Sequence, residues 1–390
     1  MRSSVRILHV VPTYLPAVRY GGPIFAVHGL CRALVDRGHE AEVVTTNVDG
    51  SGTSRVPLGV PVPVDQVSVR YFGSHILRRL SWAPSLAAAL RAEIARFDVV
   101  HLHSVFLWPT WAAARLARQA RVPHLISPRG MLFKDLIDRR SRLAKSAWIR
   151  LIERTNLEGA SIIHATSDLE ADELRRFEWR LPPIATIPNG VDDIGDFARD
   201  EPSDDVRDIA ATQPYILFLG RISWKKGLDR LLRACARAGS ARLVIAGPDD
   251  ERLVPRLSQL ARELRIGDRV RFLPRVVLDA DKEHLYASAR AFVLPSHAEN
   301  FGNTVLEAML RGRPVIVTPD VGAASIVRQC GGGLVVGGEP AALGAALERL
   351  TNDPALALRM GTAGRCHVRD QYGWPRVAVE MEALYESIKV

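Results

Sequence analysis

Apolar and polar positions fall into alternating blocks along the chain. Short apolar runs end at glycine, proline or a polar turn, and longer stretches follow whose apolar residues recur at helical spacing. Arg6–Val11, Glu42–Thr46, Asp98–His103, the run from Val122, Ser161–Thr166 and Ile184–Pro188 read as strands of a first series. A helix runs from Ile24 to about Arg37 between the first two of these strands. Tyr215–Leu219, Leu243–Ala246, Val270–Leu273, Phe292–Leu294 and Pro314–Thr318 form a second series, with an apolar helix from about Asn303 to Arg311 before the last strand. Tyr372 to Ile388 reads as a closing helix. Strands that alternate with helices in this way predict an α/β fold with parallel sheets.

The length of 390 residues is too great for one typical core and suits two domains. Residues 192–212 are acidic, polar and poor in large apolar groups, so the expected division is a first domain at 1–191, a linker at 192–212 and a second domain at 213–371. Residues 372–390 are expected to return to the first domain. Four cysteines lie far apart without a C-x-x-C pair, which argues against a zinc site or a disulfide framework and for a reducing cytoplasm. No apolar run is long enough to span a bilayer, and the N-terminal run reads as a buried strand, not a signal peptide. The net charge of +9 lies wholly in residues 1–190, which hold 25 Lys and Arg against 16 Asp and Glu. A basic face attracts anionic membranes or nucleic acid. No nucleic-acid recognition motif accompanies the charge, so a nucleic-acid partner is not expected.

Chemistry concentrates in a few stretches. In residues 292–318 a loop carrying Glu299, Phe301 and Gly302 leads into the helix that holds Asn303, Thr304 and Glu307. A helix N-terminus behind a glycine turn suits a phosphate, and a carboxylate there can accept hydrogen bonds from sugar hydroxyls. The competing reading is a capping box from Thr304 to Glu307. Gly220-Arg221 through Lys226-Gly227 ends a strand with two cations able to clamp a diphosphate, one as a fork and one as a point charge. Gly21-Gly22 opens the first helix but lacks the G-x-G-x-x-G spacing. His101 and His103 share a strand face, but no third ligand follows at sensible spacing, so a metal is not expected. Asp279-Ala-Asp281 reads as a helix cap. Residues 133–158 form a basic amphipathic stretch with a Trp, which fits either domain packing or a membrane surface.

The run E-N-F-G-N-T-V-L-E at 299–307, followed by A-M-x-x-G-x-P-V-I, together with G-R-x-x-x-x-K-G-L at 220–228, resembles the signature of the family 4 retaining glycosyltransferases. The resemblance covers nearly the whole chain. It implies the GT-B fold, two Rossmann-like α/β/α domains facing a cleft, and hexosyl transfer from a nucleotide-diphosphate sugar to a saccharide or lipid-linked acceptor. It also implies work in cell-surface polysaccharide assembly with no cofactor and no metal, while the basic first half points to contact at the inner face of the plasma membrane. Glu299, Arg221 and Lys226 match the catalytic positions. Gly21, Gly22, Arg275, Phe301, Gly302, Asn303, Thr304 and Glu307 match the donor site, where Glu307 would hold the ribose and Arg275 lies where the base is received. The D-V-V-H-x-H strand and the loop after the next strand match the acceptor side, which assigns His103, Ser127 and Arg129 there. Relatives often place a His just before Gly130. This chain has Ser127-Pro128-Arg129 instead, with Arg129 or Ser127 as substitutes. Alternatives are a sugar phosphorylase or epimerase of the same fold, and a non-catalytic nucleotide-sugar-binding or membrane scaffold.

Overall fold

The computed structural model describes residues 4–134, 148–193, 200–211 and 214–389. The chain divides into two compact units, Met1–Gly190 with Trp374–Val390, and Val191–Gly373.

The first unit is built on β1 (Arg6–Thr13), β2 (Glu40–Thr46), β5 (Pro61–Val64), β6 (Val67–Phe72), β7 (Val99–His103), β8 (His124–Ser127), β9 (Ile162–Ala165) and β10 (Ile184–Thr186), with a small ribbon of β3 (Val48–Asp49) and β4 (Gly52–Thr53). The sheet order is β10-β9-β8-β7-β1-β2-β6-β5. Every pairing is parallel except β5 with β6. Central strands are buried on both faces, which is why they read as unbroken apolar runs. One face carries helices Gly22–Asp36 and Trp374–Ile388, and the other carries Pro84–Glu93 and Trp108–Ala120.

The closing helix locks onto the first unit through close backbone approach. A Cβ added to Gly29 or Gly190 would lie 2.3 or 2.5 Å from ring atoms of Trp374, so only glycine admits the indole at both places. Farther along, Arg37 donates from Nε to the buried Glu382 carboxylate at 2.9 Å.

The second unit has β11 (Tyr215–Leu219), β12 (Leu243–Ala246), β13 (Val270–Leu273), β14 (Ala289–Leu294), β15 (Val315–Val317) and β16 (Gly333–Val335), all parallel, in the order β13-β12-β11-β14-β15-β16. The chain leaves β11 toward β12 and β13 on one side, then crosses back to β14 on the other. Strand order therefore reverses between β11 and β14, the place where open α/β sheets bind ligands.

One expectation needs correction, and another falls largely outside the described residues. The stretch assigned as a linker contains helix Asp204–Ala210, whose Val206 and Ile209 are buried in the second unit's core. Two apolar residues three apart suffice to dock a short helix, despite the acidic composition around them. The basic amphipathic stretch at 133–158 lies in large part outside the described residues.

Candidate functional site

In the second unit, the loops after β11 and β14 are joined directly. His297 donates its backbone N–H to the Lys225 carbonyl at 2.7 Å. Gly227 has φ +63, and a Cβ there would meet the Pro295 carbonyl oxygen at 2.3 Å, so glycine is required for the two loops to touch. Glu299 is pinned on both sides: its N–H donates to Asp320 O at 2.9 Å and its carbonyl accepts from Gly322 N–H at 3.0 Å. The result is an ion pair between Lys226 Nζ and Glu299 Oε2, with both side chains partly open to solvent. Arg221, on the same loop after β11, is exposed and makes no side-chain hydrogen bond or ion pair with any described residue.

Helix Asn303–Leu310 starts from Gly302, whose φ of +90 and ψ of 62 place it in the left-handed region. No side chain caps this helix. The capping-box reading of Glu307 is therefore overturned. Its carboxylate accepts from Tyr286 Oη at 3.2 Å and faces Lys282 Nζ at 3.8 Å. Burial, and then the neighbouring Glu307 charge, hold the Tyr286 hydroxyl well above the usual phenol range, so it stays a donor. The Tyr286 ring is in turn covered by the Arg311 guanidinium, 5.2 Å from its centroid, and Arg311 is held by Glu283 through two hydrogen bonds. Glu283→Ala should cost about 3–5 kcal/mol, because it strands a buried guanidinium. Urea denaturation checks this, and a loss below about 1 kcal/mol would contradict the pairing.

Three second-unit expectations change, two of them on the donor side. Phe301 is 3% exposed and packs into the core, so its ring is not available to a ligand. Arg275 is committed within the unit: Nε and Nη2 bond both oxygens of Asp205, and Nη2 also reaches Asp281 Oδ2 and Ser203 Oγ at 2.7 Å. These contacts, Arg275 first, hold the Asp205 carboxyl well below the usual carboxylate range. Asp281 does not cap its helix, since its carboxylate accepts from Ser203 and Arg275.

In the first unit, Gly21 has φ +69 and stands at the N-terminus of helix Gly22–Asp36. The acceptor-side residues sit in a buried polar band. His9 and His101 are register partners on β1 and β7, and His103 pairs with Ser127 on β8. Each of the three imidazoles offers a nitrogen within 4.8 Å of the others. The third imidazole that the sequence pattern does not supply locally thus comes from β1, across the sheet.

The hydrogen bonds have one consistent direction. The Ile187 carbonyl can only accept, so His164 donates to it from Nε2 and accepts at Nδ1 from the Ser127 hydroxyl, each at 2.7–2.8 Å. Ser127 then accepts from His101 Nε2 at 2.7 Å, and His101 Nδ1 accepts from Tyr385 Oη at 2.8 Å. A second chain starts at Arg129, which can only donate. Its Nη2 meets His103 Nδ1 at 3.2 Å, so His103 donates from Nε2 to His9 Nδ1 at 3.0 Å. Arg129 Nη1 donates to Asn189 Oδ1 at 2.7 Å.

Every imidazole here is neutral. Burial first, then the Arg129 charge, lowers His9 and His164 to about 3, and burial holds His101 and His103 well below the usual range. A divalent cation among these rings would stand beside a guanidinium with no carboxylate in the cluster, which favours the hydrogen-bonded network. Ser127 is wholly buried and His103 nearly so, so neither side chain reaches an acceptor. Arg129 keeps part of its surface.

Comparison with known proteins identifies the family. Residues 21–190 match the "Glycosyl transferase 4-like domain" model and residues 200–367 match "Glycosyl transferases group 1". A D-inositol 3-phosphate glycosyltransferase of Geodermatophilus obscurus is 31% identical over 419 residues, covering 99% of this chain and 89% of the relative. Among solved structures, the sucrose-phosphate synthase of Thermosynechococcus elongatus superposes with a TM-score of 0.76 at 24% identity, over 98% of each chain. Anabaena HepE, solved with UDP-glucose, gives 0.74 at 18% identity, over 98% of this chain and all of that one. The chain belongs to the family 4-like glycosyltransferases and has the GT-B fold.

Proposed function

We propose that this glycosyltransferase moves a hexosyl unit from a nucleotide-diphosphate sugar to a saccharide or lipid-linked acceptor, with retention at the anomeric carbon and without a metal. The observation that carries the reading is the Lys226–Glu299 pair where strand order reverses in the second unit, with the unengaged Arg221 on the same loop as Lys226. In the resting state Lys226 and Glu299 neutralise and hold one another. A bound diphosphate draws Lys226 to its own oxygens and frees Glu299 for sugar hydroxyls. As the bond from anomeric carbon to phosphate oxygen stretches, charge builds on the leaving diphosphate. Lys226, Arg221 and the first amides of helix Asn303–Leu310 meet that charge. Glu299 steadies the sugar as its ring gains oxocarbenium character, and the departing phosphate takes the proton of the acceptor hydroxyl. Glu307, held by Tyr286, takes the ribose.

The UDP-glucose complex of HepE supports a uridine donor as the first to test. The sequence resemblance supports a role in cell-surface polysaccharide assembly, and the basic first half supports work at the inner membrane face. The test is a thermal-shift panel of UDP, GDP, ADP and their sugar conjugates on wild type and Lys226→Ala. A rise in Tm with one nucleotide, largely lost in the variant, is expected by mass action. No rise with any of them would remove the donor site and leave the scaffold reading.

A further inference from the structure

Four of the six large hydrophobic side chains exposed among the described residues belong to two segments of the first unit: Leu58 (46%) and Val60 (51%), and Ile76 (64%) and Leu77 (60%). Leu58 and Ile76 also line one open pocket of about 500 Å³, whose walls include Phe72, Trp82 and Pro84. Leu77 is held outward by a left-handed backbone, φ +51, a conformation that a bulky residue rarely adopts. Exposed cations flank the apolar groups: Arg55 just before Leu58, and Arg78 and Arg79 just after Leu77. Between residues 50 and 92 the only acidic residue is Asp65, and its carboxylate meets His28 Nε2 at 2.9 Å. None of these groups belongs to the donor set or to the imidazole network.

We propose that this surface docks on an anionic lipid bilayer, with Ile76, Leu77, Leu58 and Val60 entering the interface and Arg55, Arg78 and Arg79 meeting the headgroups. Charge and polarity together select this occupant. The apolar groups need a non-aqueous partner, and the uncompensated arginines need an anionic one. A second copy is disfavoured on two grounds. A two-fold contact would place the arginines of one copy against those of the other. Strand addition at this edge is blocked as well, because β5 is the edge strand and its Pro61 and Pro63 have no N–H to donate. No helix among the described residues is long and apolar enough to cross a membrane, so surface attachment is the mode that this patch provides.

The experiment is co-sedimentation of the full chain with vesicles of phosphatidylcholine alone, or with about one third phosphatidylglycerol, at low and high salt. Binding is expected only to the anionic vesicles and should weaken with salt. Ile76→Ser with Leu77→Ser should lower partition roughly tenfold or more. Arg78→Gln with Arg79→Gln should lower it roughly 25-fold and flatten the salt dependence. These side chains are exposed, and an unchanged Tm in each variant establishes that the fold is intact. Absence of wild-type binding would overturn the proposal, as would variants that bind like wild type. Light scattering that shows a wild-type dimer and a monomeric Ile76→Ser/Leu77→Ser variant would reassign the surface to a second copy. The readout needs no turnover, so it stands or falls separately from the donor-site reading.

Discussion

Lys226→Ala should lower kcat/KM by roughly 10²–10³-fold, the usual cost of removing one preorganised group aimed at developing charge. Its effect on stability should be small, about 1 kcal/mol or less, because the Lys226–Glu299 pair is partly solvated. That contrast separates a functional pair from a structural one. Glu299→Gln keeps the shape but removes the charge that steadies the sugar, and should lower kcat more than it raises the donor KM. The double variant is the sharper test. In Lys226→Ala the unpaired Glu299 carboxylate repels the diphosphate, so Lys226→Ala/Glu299→Gln should bind nucleoside diphosphate more tightly than Lys226→Ala alone, yet transfer no faster. Titration calorimetry with the nucleotide selected by the thermal panel reads this directly. Affinity losses that simply multiply would show that the two groups do not compete around the diphosphate.

The candidate donor side was legible as a meeting of two loops because its residues are local in sequence. Gly220 to Gly227 and Glu299 to Glu307 are short segments in which glycine turns, cations and carboxylates stand within a few residues of one another, and parallel pairing of β11 with β14 brings the two together. What failed there depended on burial. Phe301 and Arg275 have the right residue types in the right places, but Phe301 is consumed by the core, and Arg275 is consumed by Asp205 and Asp281. No local pattern reports that a helix seventy residues away will supply a carboxylate.

The first unit was less legible for the same reason. A parallel sheet joins strands that are far apart in sequence, so His9 and His101 become neighbours only once the register of β1 on β7 is known. Ser127 and His103 look like site residues at the end of a strand, yet the sheet turns both inward and each becomes a link in a hydrogen-bond chain. One signal was available. His9, His101, His103, His124 and His164 all fall inside apolar strand runs, a density of buried titratable groups that a packing role alone does not explain. β5 was missed because its prolines weaken a strand pattern, and those same prolines keep that edge from pairing further.

Those imidazoles make the first unit sensitive to mild acid. His9, His101, His103, His124 and His164 are all held neutral below the ordinary imidazole range, chiefly by burial, with His124 lowered to about 4. In the unfolded chain each titrates near 6.5. As pH falls below that value the unfolded state binds protons that the folded state refuses. Stability is therefore fully present above about pH 6.5 and is lost progressively toward about pH 3. Each group contributes about 1.4 kcal/mol per pH unit in that window, so five of them remove up to about 7 kcal/mol between pH 7.5 and 5.5. That is comparable with the whole stability of an ordinary domain. Carboxylates of the unfolded chain titrate below most of this interval and add little to it, and the buried Glu153, whose carboxyl burial pushes up, acts in the opposite sense. Amide hydrogen exchange of the full chain, followed by peptide mass spectrometry and corrected for intrinsic rates, resolves the two units. At pH 5.5 protection should fall steeply in peptides spanning β1, β7, β8 and β9, and little in those spanning β11 and β14. An equal fall in both units would assign the acid response to something other than the imidazoles. No fall in either would mean that the folded unit accepts protons at these rings, and that the directed chains from Tyr385 to Ile187 and from Arg129 to His9 do not hold in solution.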